Sequence, residues 1–137
     1  MFQNYTFAFD LDGTLVDTAP DLVRAANEVM DMIGIPHVSE DEMRHIVGRG
    51  ARISIEKAAA NSGYEIKDNE MAILLPAFLA TYRAGISIRS RAYDGVSDIL
   101  QELQDKGAKL VVCTNKPTDL SKLLLDQMNL SQYFLGI

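Results

Sequence analysis

Residues 7–17 read FAFDLDGTLVD. An apolar run leads straight into Asp10 and Asp12, and Gly13 follows at once. Two carboxylates this close repel each other, so either a cation stands between them or one of them carries a proton. The run over residues 5–11 is too short for a helix and rich in aromatic and aliphatic side chains, which predicts a strand buried on both faces. A second run, AKLVVCTN at residues 108–115, predicts another strand that also ends in polar residues. In open α/β sheets, function gathers beyond the carboxyl ends of the strands. There the sequence puts Asp10 and Asp12 on the first strand, and Thr114 and Asn115 on the second.

Between the two strands the spacing is helical. Leu22, Ala25, Ala26, Val29, Met30 and Ile33 draw one apolar face, and Met71, Leu74, Leu75, Phe78, Leu79 and Tyr82 draw another. Pro76 lies inside the second run and predicts a kink or short break there. SEDE at residues 39–42 has the pattern of a capping box opening a short helix through Val47. Residues 50–61 make a further helix, with Gly63 as its stop. Val96, Ile99, Leu100 and Leu103 mark a helix ending near Gly107, and Pro117 opens a last one through Met128. This order predicts an α/β fold with a Rossmann-like parallel sheet core, built from residues 1–17 and 86–137. The helical block over residues 18–85 reads as a cap inserted into it.

The bulk properties narrow the classes. With 137 residues, 47% hydrophobic and 23% charged, the chain suits one domain, or a modest domain with an insertion. A net charge of −6 and scattered Lys and Arg argue against nucleic acid as a partner. The single cysteine, Cys113, excludes an intrachain disulfide and fits a reducing cytoplasm, the expected location. No apolar run approaches the roughly 18 residues that cross a bilayer, so no membrane partner is expected.

The residues at the strand ends suit phosphoryl chemistry. One carboxylate can attack a phosphoryl group if a cation offsets the repulsion between anions. The other can give a proton to the leaving oxygen and later take one from water. Gly13 lets the chain turn so that both aspartates face one site. Thr114 and Asn115 can hold phosphate oxygens, or simply cap the following helix, whose first N–H groups would add to an anion site. Plainer readings stand beside these. Asp10 and Asp12 can be turn residues, although an EF-hand loop is excluded because Gly13 falls at its fourth position rather than its sixth. Asp17 either touches the site or helps start the next helix, with Thr18 as N-cap and Asp21 at N3. In GRGAR, residues 48–52, Arg49 or Arg52 either reaches a substrate carboxylate or is a solvated surface charge. Lys116 either stands near the phosphate or faces solvent, Cys113 reads as inert core, and His37 and His45 have no partner at metal-ligand spacing.

FDLDGTLVD followed by VVCTN and TNKP resembles the haloacid dehalogenase superfamily, and with the helical insertion is most similar to its phosphoglycolate phosphatase branch. The resemblance implies that Asp10 is a nucleophile forming an aspartyl-phosphate and that Asp12 is the general acid/base. It also implies Mg²⁺ held by the Asp10 carboxylate and the Asp12 backbone carbonyl, phosphate held by Thr114 and Asn115, and a small phosphorylated metabolite as substrate, 2-phosphoglycolate being the best guess. Family members continue with a lysine and an acidic pair. Here the sequence ends in QYFLGI, and beyond Lys116 the charged residues are Asp119, Lys122 and Asp126. The expectation is therefore the N-terminal portion of a phosphatase, with weak Mg²⁺ binding and little activity. An open strand edge beside aromatic residues would invite self-association. A sugar-phosphate mutase-type phosphotransferase and a non-catalytic remnant paired with another chain are the alternatives. A dehalogenase is disfavoured, because that chemistry needs no second aspartate at Asp12.

Overall fold

The computed structural model describes residues 1–137. Two strands, β1 (Thr6–Phe9) and β4 (Lys109–Val112), pair in parallel with Thr6 opposite Lys109 and Phe9 opposite Val112. A second, two-residue ribbon pairs β2 (Val16–Asp17) antiparallel with β3 (Arg91–Ala92). Between β2 and β3 run four helices: α1 (Ala19–Met32), α2 (Glu40–Ile46), α3 (Ala51–Ala60) and α4 (Asp68–Ala84). After β3, α5 (Val96–Asp105) leads into β4, and α6 (Thr118–Gln127) follows it. The mixed α/β architecture with a parallel strand pair is the one the sequence predicts.

Periodicity accounts for the helical layer. The apolar stripe of α1 buries Leu22, Ala25, Ala26, Val29 and Met30, and that of α4 buries Met71, Leu74, Phe78 and Tyr82. These two faces pack on each other, while α2 and α3 pack against α1. Ser39 opens α2 through a complete capping box: its hydroxyl accepts from the Glu42 N–H at 3.1 Å, and Glu42 accepts from the Ser39 N–H at 2.6 Å. Pro76 leaves α4 unbroken over 17 residues, contrary to the predicted break. The core is one contiguous cluster, running from Leu110, Val112, Leu120 and Leu124 through Leu11 and Leu15 to the facing stripes of α1 and α4. The two layers are thus cemented by shared apolar contact rather than by separate cores.

Three expectations about the strands are corrected. The first strand is shorter than residues 5–11 and is not buried on both faces: Tyr5, Thr6 and Ala8 are exposed, and Phe7 and Phe9 half-buried. The reason is its setting, since α5 packs against β4 while the principal neighbour of β1 is β4 alone. The rings of Phe2, Tyr5 and Phe7 cover one another instead, with edge-to-face contacts at 5.7 Å for Phe2 on each of the other two. The second strand ends at Val112, so Cys113 falls just beyond it and is exposed rather than core. The far edge of β4 is met by the final residues, where Leu135 N–H donates to Leu110 O at 2.8 Å and Val112 N–H to Gly136 O at 3.0 Å.

Candidate active site

The turn after β1 is built around Leu11, which is fully buried. The N–H groups of Leu15 and Val16 both donate to the Leu11 carbonyl, at 3.0 and 3.2 Å, and Gly13 N–H donates to Val16 O at 2.8 Å. Gly13 has φ of +78°, a left-handed conformation that a side chain would strain. With Leu11 pinned in the core, Asp10 and Asp12 flank it on different cavities, rather than facing one site as the sequence predicts. Asp10 is exposed, accepts from the Leu11 N–H at 2.7 Å, and lines an open cleft of ≈ 600 Å³ with Val112, Cys113, Thr114, Asn115 and Ile137. Asp12 borders a small cavity of ≈ 30 Å³, roofed by Phe78, Leu79 and Tyr82 of α4 and floored by Lys116, Pro117 and Leu120.

Asp12 belongs to the one ion pair of the molecule whose two side chains are both buried. Its Oδ1 accepts from the Thr18 hydroxyl at 2.7 Å and meets the Lys116 ammonium at 3.0 Å, the two charged side chains being only 8% and 5% exposed. Lys116 Nζ also donates to the Tyr82 hydroxyl at 2.7 Å and lies 4.3 Å from the centre of that ring. Burial pulls the Lys116 ammonium below its ordinary pKa, and the carboxylate of Asp12 opposes the pull. Burial, reinforced by Asp12 and Asp21, holds the Tyr82 phenol well above its ordinary range. Lys116 is therefore not solvent-facing, because its stem crosses the apolar floor of the cavity to reach the one carboxylate there. Thr18 is the N-cap of α1, as expected, but its hydroxyl makes no cap bond and is committed to Asp12.

Thr114 and Asn115 do not cap α6, whose N-cap is Pro117. The Thr114 hydroxyl accepts from the Lys116 N–H at 3.1 Å, a two-residue side-chain turn. The Asn115 amide donates to Gly48 O at 2.9 Å, tying the end of β4 to the turn between α2 and α3. Gly48 takes φ of +105° to present that carbonyl. The two arginines of this turn separate. Arg52 pairs with Glu56 at 3.0 Å and Asp68 at 3.1 Å on the helical layer. Arg49 is exposed and makes no hydrogen bond or ion pair. Neither guanidinium lines either cavity, although Gly48, Gly50 and Ala51 line the smaller one. Asp17 pairs with Arg44 at 3.0 Å, and His37 with Asp31 at 2.7 Å.

For a divalent cation the donors near the turn are oxygens, namely the Asp10 carboxylate and the backbone carbonyl of Asp12. Nowhere do three or more His, Cys, Asp or Glu side chains converge as a ready-made cage. Mg²⁺ is commonly held by one or two carboxylates and keeps several waters, so the donor chemistry fits it. The residue that sequence reasoning missed is Tyr82, read only as part of an apolar stripe. Its signal was the polar tip, the only one on that face of α4.

The family model for haloacid dehalogenase-like hydrolases matches residues 7–137, and the chain belongs to that family. It is 46% identical over 132 residues to a phosphoglycolate phosphatase of Caulobacter vibrioides, covering 96% of this chain and 56% of that protein. Against a phosphoglycolate phosphatase of Agrobacterium fabrum the identity is 41% over 129 residues, covering 94% and 55%. Its fold matches a crystal structure described as a predicted phosphoglycolate phosphatase from Haemophilus somnus with a TM-score of 0.87 at 29% identity, over 98% of this chain and 61% of that one. A predicted phosphatase from Clostridium acetobutylicum matches with a TM-score of 0.85 at 28% identity, over 100% and 61%. The chain thus spans little more than half the length of the curated relatives it matches.

Proposed function

We propose that the protein is a cytoplasmic phosphatase acting on small phosphate monoesters, with 2-phosphoglycolate as the best substrate. The observation that carries this reading is the exposed Asp10 carboxylate in one open cleft with Thr114 and Asn115, two residues from the buried Asp12. The names and identities of its relatives support the substrate class. An Asp10 oxygen attacks phosphorus and the bond to the leaving oxygen breaks; Asp12, in its protonated form, gives that oxygen its proton and is left as the carboxylate. Water then attacks the aspartyl-phosphate, Asp12 takes its proton, and inorganic phosphate leaves with Asp10 restored. Thr114 and Asn115 orient the phosphoryl oxygens at the head of α6. The Asp10 carboxylate and the Asp12 backbone carbonyl would hold Mg²⁺, which would supply the positive charge that lets two anions meet. Residues 18–85 act as a cap that keeps bulk water from Asp12. We also infer that the free edge of β1 pairs with a second chain.

The test is hydrolysis of an aryl phosphate with and without Mg²⁺. Asp10→Asn should form no phosphoenzyme, whereas Asp12→Asn should slow turnover on the order of 10²-fold by impairing proton transfer. Phosphoenzyme formation in Asp10→Asn would remove the assignment.

A further inference from the structure

Lys116 and Tyr82 belong to different layers of the molecule and meet over Asp12. Tyr82 lies on α4, is 1% exposed, and stacks on Phe78 at 6.2 Å between ring centres. Burial and the stacking on Phe78 therefore fix its ring before Lys116 is considered. Lys116 has several rotatable bonds, and its ammonium would ordinarily be drawn to water. Three contacts hold it in place: Asp12 Oδ1 at 3.0 Å, the Tyr82 hydroxyl at 2.7 Å and the Tyr82 ring face at 4.3 Å. Two of the three come from one tyrosine of the helical layer.

We propose that Tyr82 is a positioning residue, which holds the Lys116 ammonium on the Asp12 carboxylate and so lets the helical layer set the charge environment of that carboxylate. The aromatic face compensates for part of the hydration the ammonium gives up, and the hydroxyl accepts a hydrogen bond from one of its three N–H groups. Asp12, with Thr18 fixed on the same oxygen, is then held in a single orientation beside the turn of Gly13. A displacement of α4 would release Lys116, and Asp12 would lose its compensating charge without any change in its own loop. This inference rests on the phosphatase reading only for its consequence in turnover; the placement of Lys116 stands apart from it.

The first measurement is the rate of reductive methylation at each of the six lysines, followed by peptide mass spectrometry. Tyr82→Phe keeps the ring and removes the hydroxyl. It should speed modification of Lys116 about fivefold, the ratio that matches a typical net hydrogen bond of roughly 1 kcal/mol, and leave the other five lysines unchanged. Tyr82→Leu should speed it further. An unchanged Lys116 rate in Tyr82→Phe overturns the proposal. So does an increase shared by all six lysines in that variant, which would assign Tyr82 to packing alone. The second measurement is aryl phosphate turnover, where Tyr82→Phe should lower kcat severalfold and spare KM. A change in KM with kcat intact overturns the role at Asp12. Phosphoenzyme formation in Asp10→Asn removes the phosphatase mechanism and leaves the methylation result to decide the placement of Lys116.

Discussion

The carboxylate of Asp21, 1% exposed in the first turn of α1, accepts both the N–H and the hydroxyl of Ser90 at 2.7 Å. It also takes the N–H of Arg89 at 3.0 Å, and one turn further on Arg24 donates to Gly85 O at 3.0 Å. One turn of α1 therefore clamps the segment 85–90, through which the chain returns from the helical layer. Asp21→Ala would strand three donors in the interior. The expected loss is roughly 3 kcal/mol, seen as a lower urea midpoint with an unchanged slope. A loss under about 0.5 kcal/mol would mean that water replaces the carboxylate at no cost.

Alkaline pH should expose the burial of Tyr82. Its phenol is held above its ordinary value, mainly by desolvation, so above about pH 10 the unfolded chain releases a proton that the folded chain keeps. Stability then falls as pH rises. Lys116 acts the other way: its ammonium is pulled below the ordinary value near 10.4, so between those two values stability rises with pH. Tyr82→Phe removes the falling arm. Thermal unfolding at a series of pH values should show the wild type losing stability above about pH 10 more steeply than Tyr82→Phe. Parallel curves would contradict this.

The arginines of the GRGAR turn should differ in kinetics. Arg49 has no partner and is free to meet an anionic substrate, whereas Arg52 is already engaged by Glu56 and Asp68. Arg49→Gln is expected to raise KM for an acidic phosphate ester about tenfold or more, as loss of a charged hydrogen bond does, and to spare an aryl phosphate. Arg52→Gln should alter neither. Equal effects of both substitutions on both substrates would assign the pair to the fold.

The free edge of β1 should make the protein associate with itself. Tyr5 is 59% exposed and Ala8 is exposed beside a row of backbone groups that no strand pairs. Sedimentation velocity should show a concentration-dependent increase in mass. Ala8→Lys, which places a charge on that strand, should shift the distribution towards monomer. A monomer at every concentration would show that the aromatic cluster of Phe2, Tyr5 and Phe7 protects the edge sufficiently.

The helices were legible because each buries one stripe, and a 3–4 spacing records that directly. The capping box at Ser39 and Glu42 is local and was equally plain. The strands were less so: the apolar run ending in Val112 and Cys113 does not say where the sheet stops, and the exposure of Cys113 depends on that. The two-residue ribbon of β2 and β3 is too short to carry a period. Asp21 has the placement of an ordinary first-turn acid, and nothing local distinguishes it from one that accepts three bonds from a segment 68 and 69 residues away. Lys116 and Tyr82 are likewise joined only by tertiary structure, 34 residues apart.

Because Val16–Asp17 and Arg91–Ala92 lie side by side, the chain leaves the parallel-strand layer and re-enters it at a single doorway. In polymer terms the four helices form a loop whose ends are already closed. Closure entropy grows only with the logarithm of loop length, about 0.6 kcal/mol for each doubling. A doorway of this kind accepts excursions of very different size at nearly the same conformational cost. Helices between residues 18 and 90 can therefore be exchanged for larger or smaller assemblies, provided the newcomers bring their own clamp at the return and their own side chain to sit over Lys116.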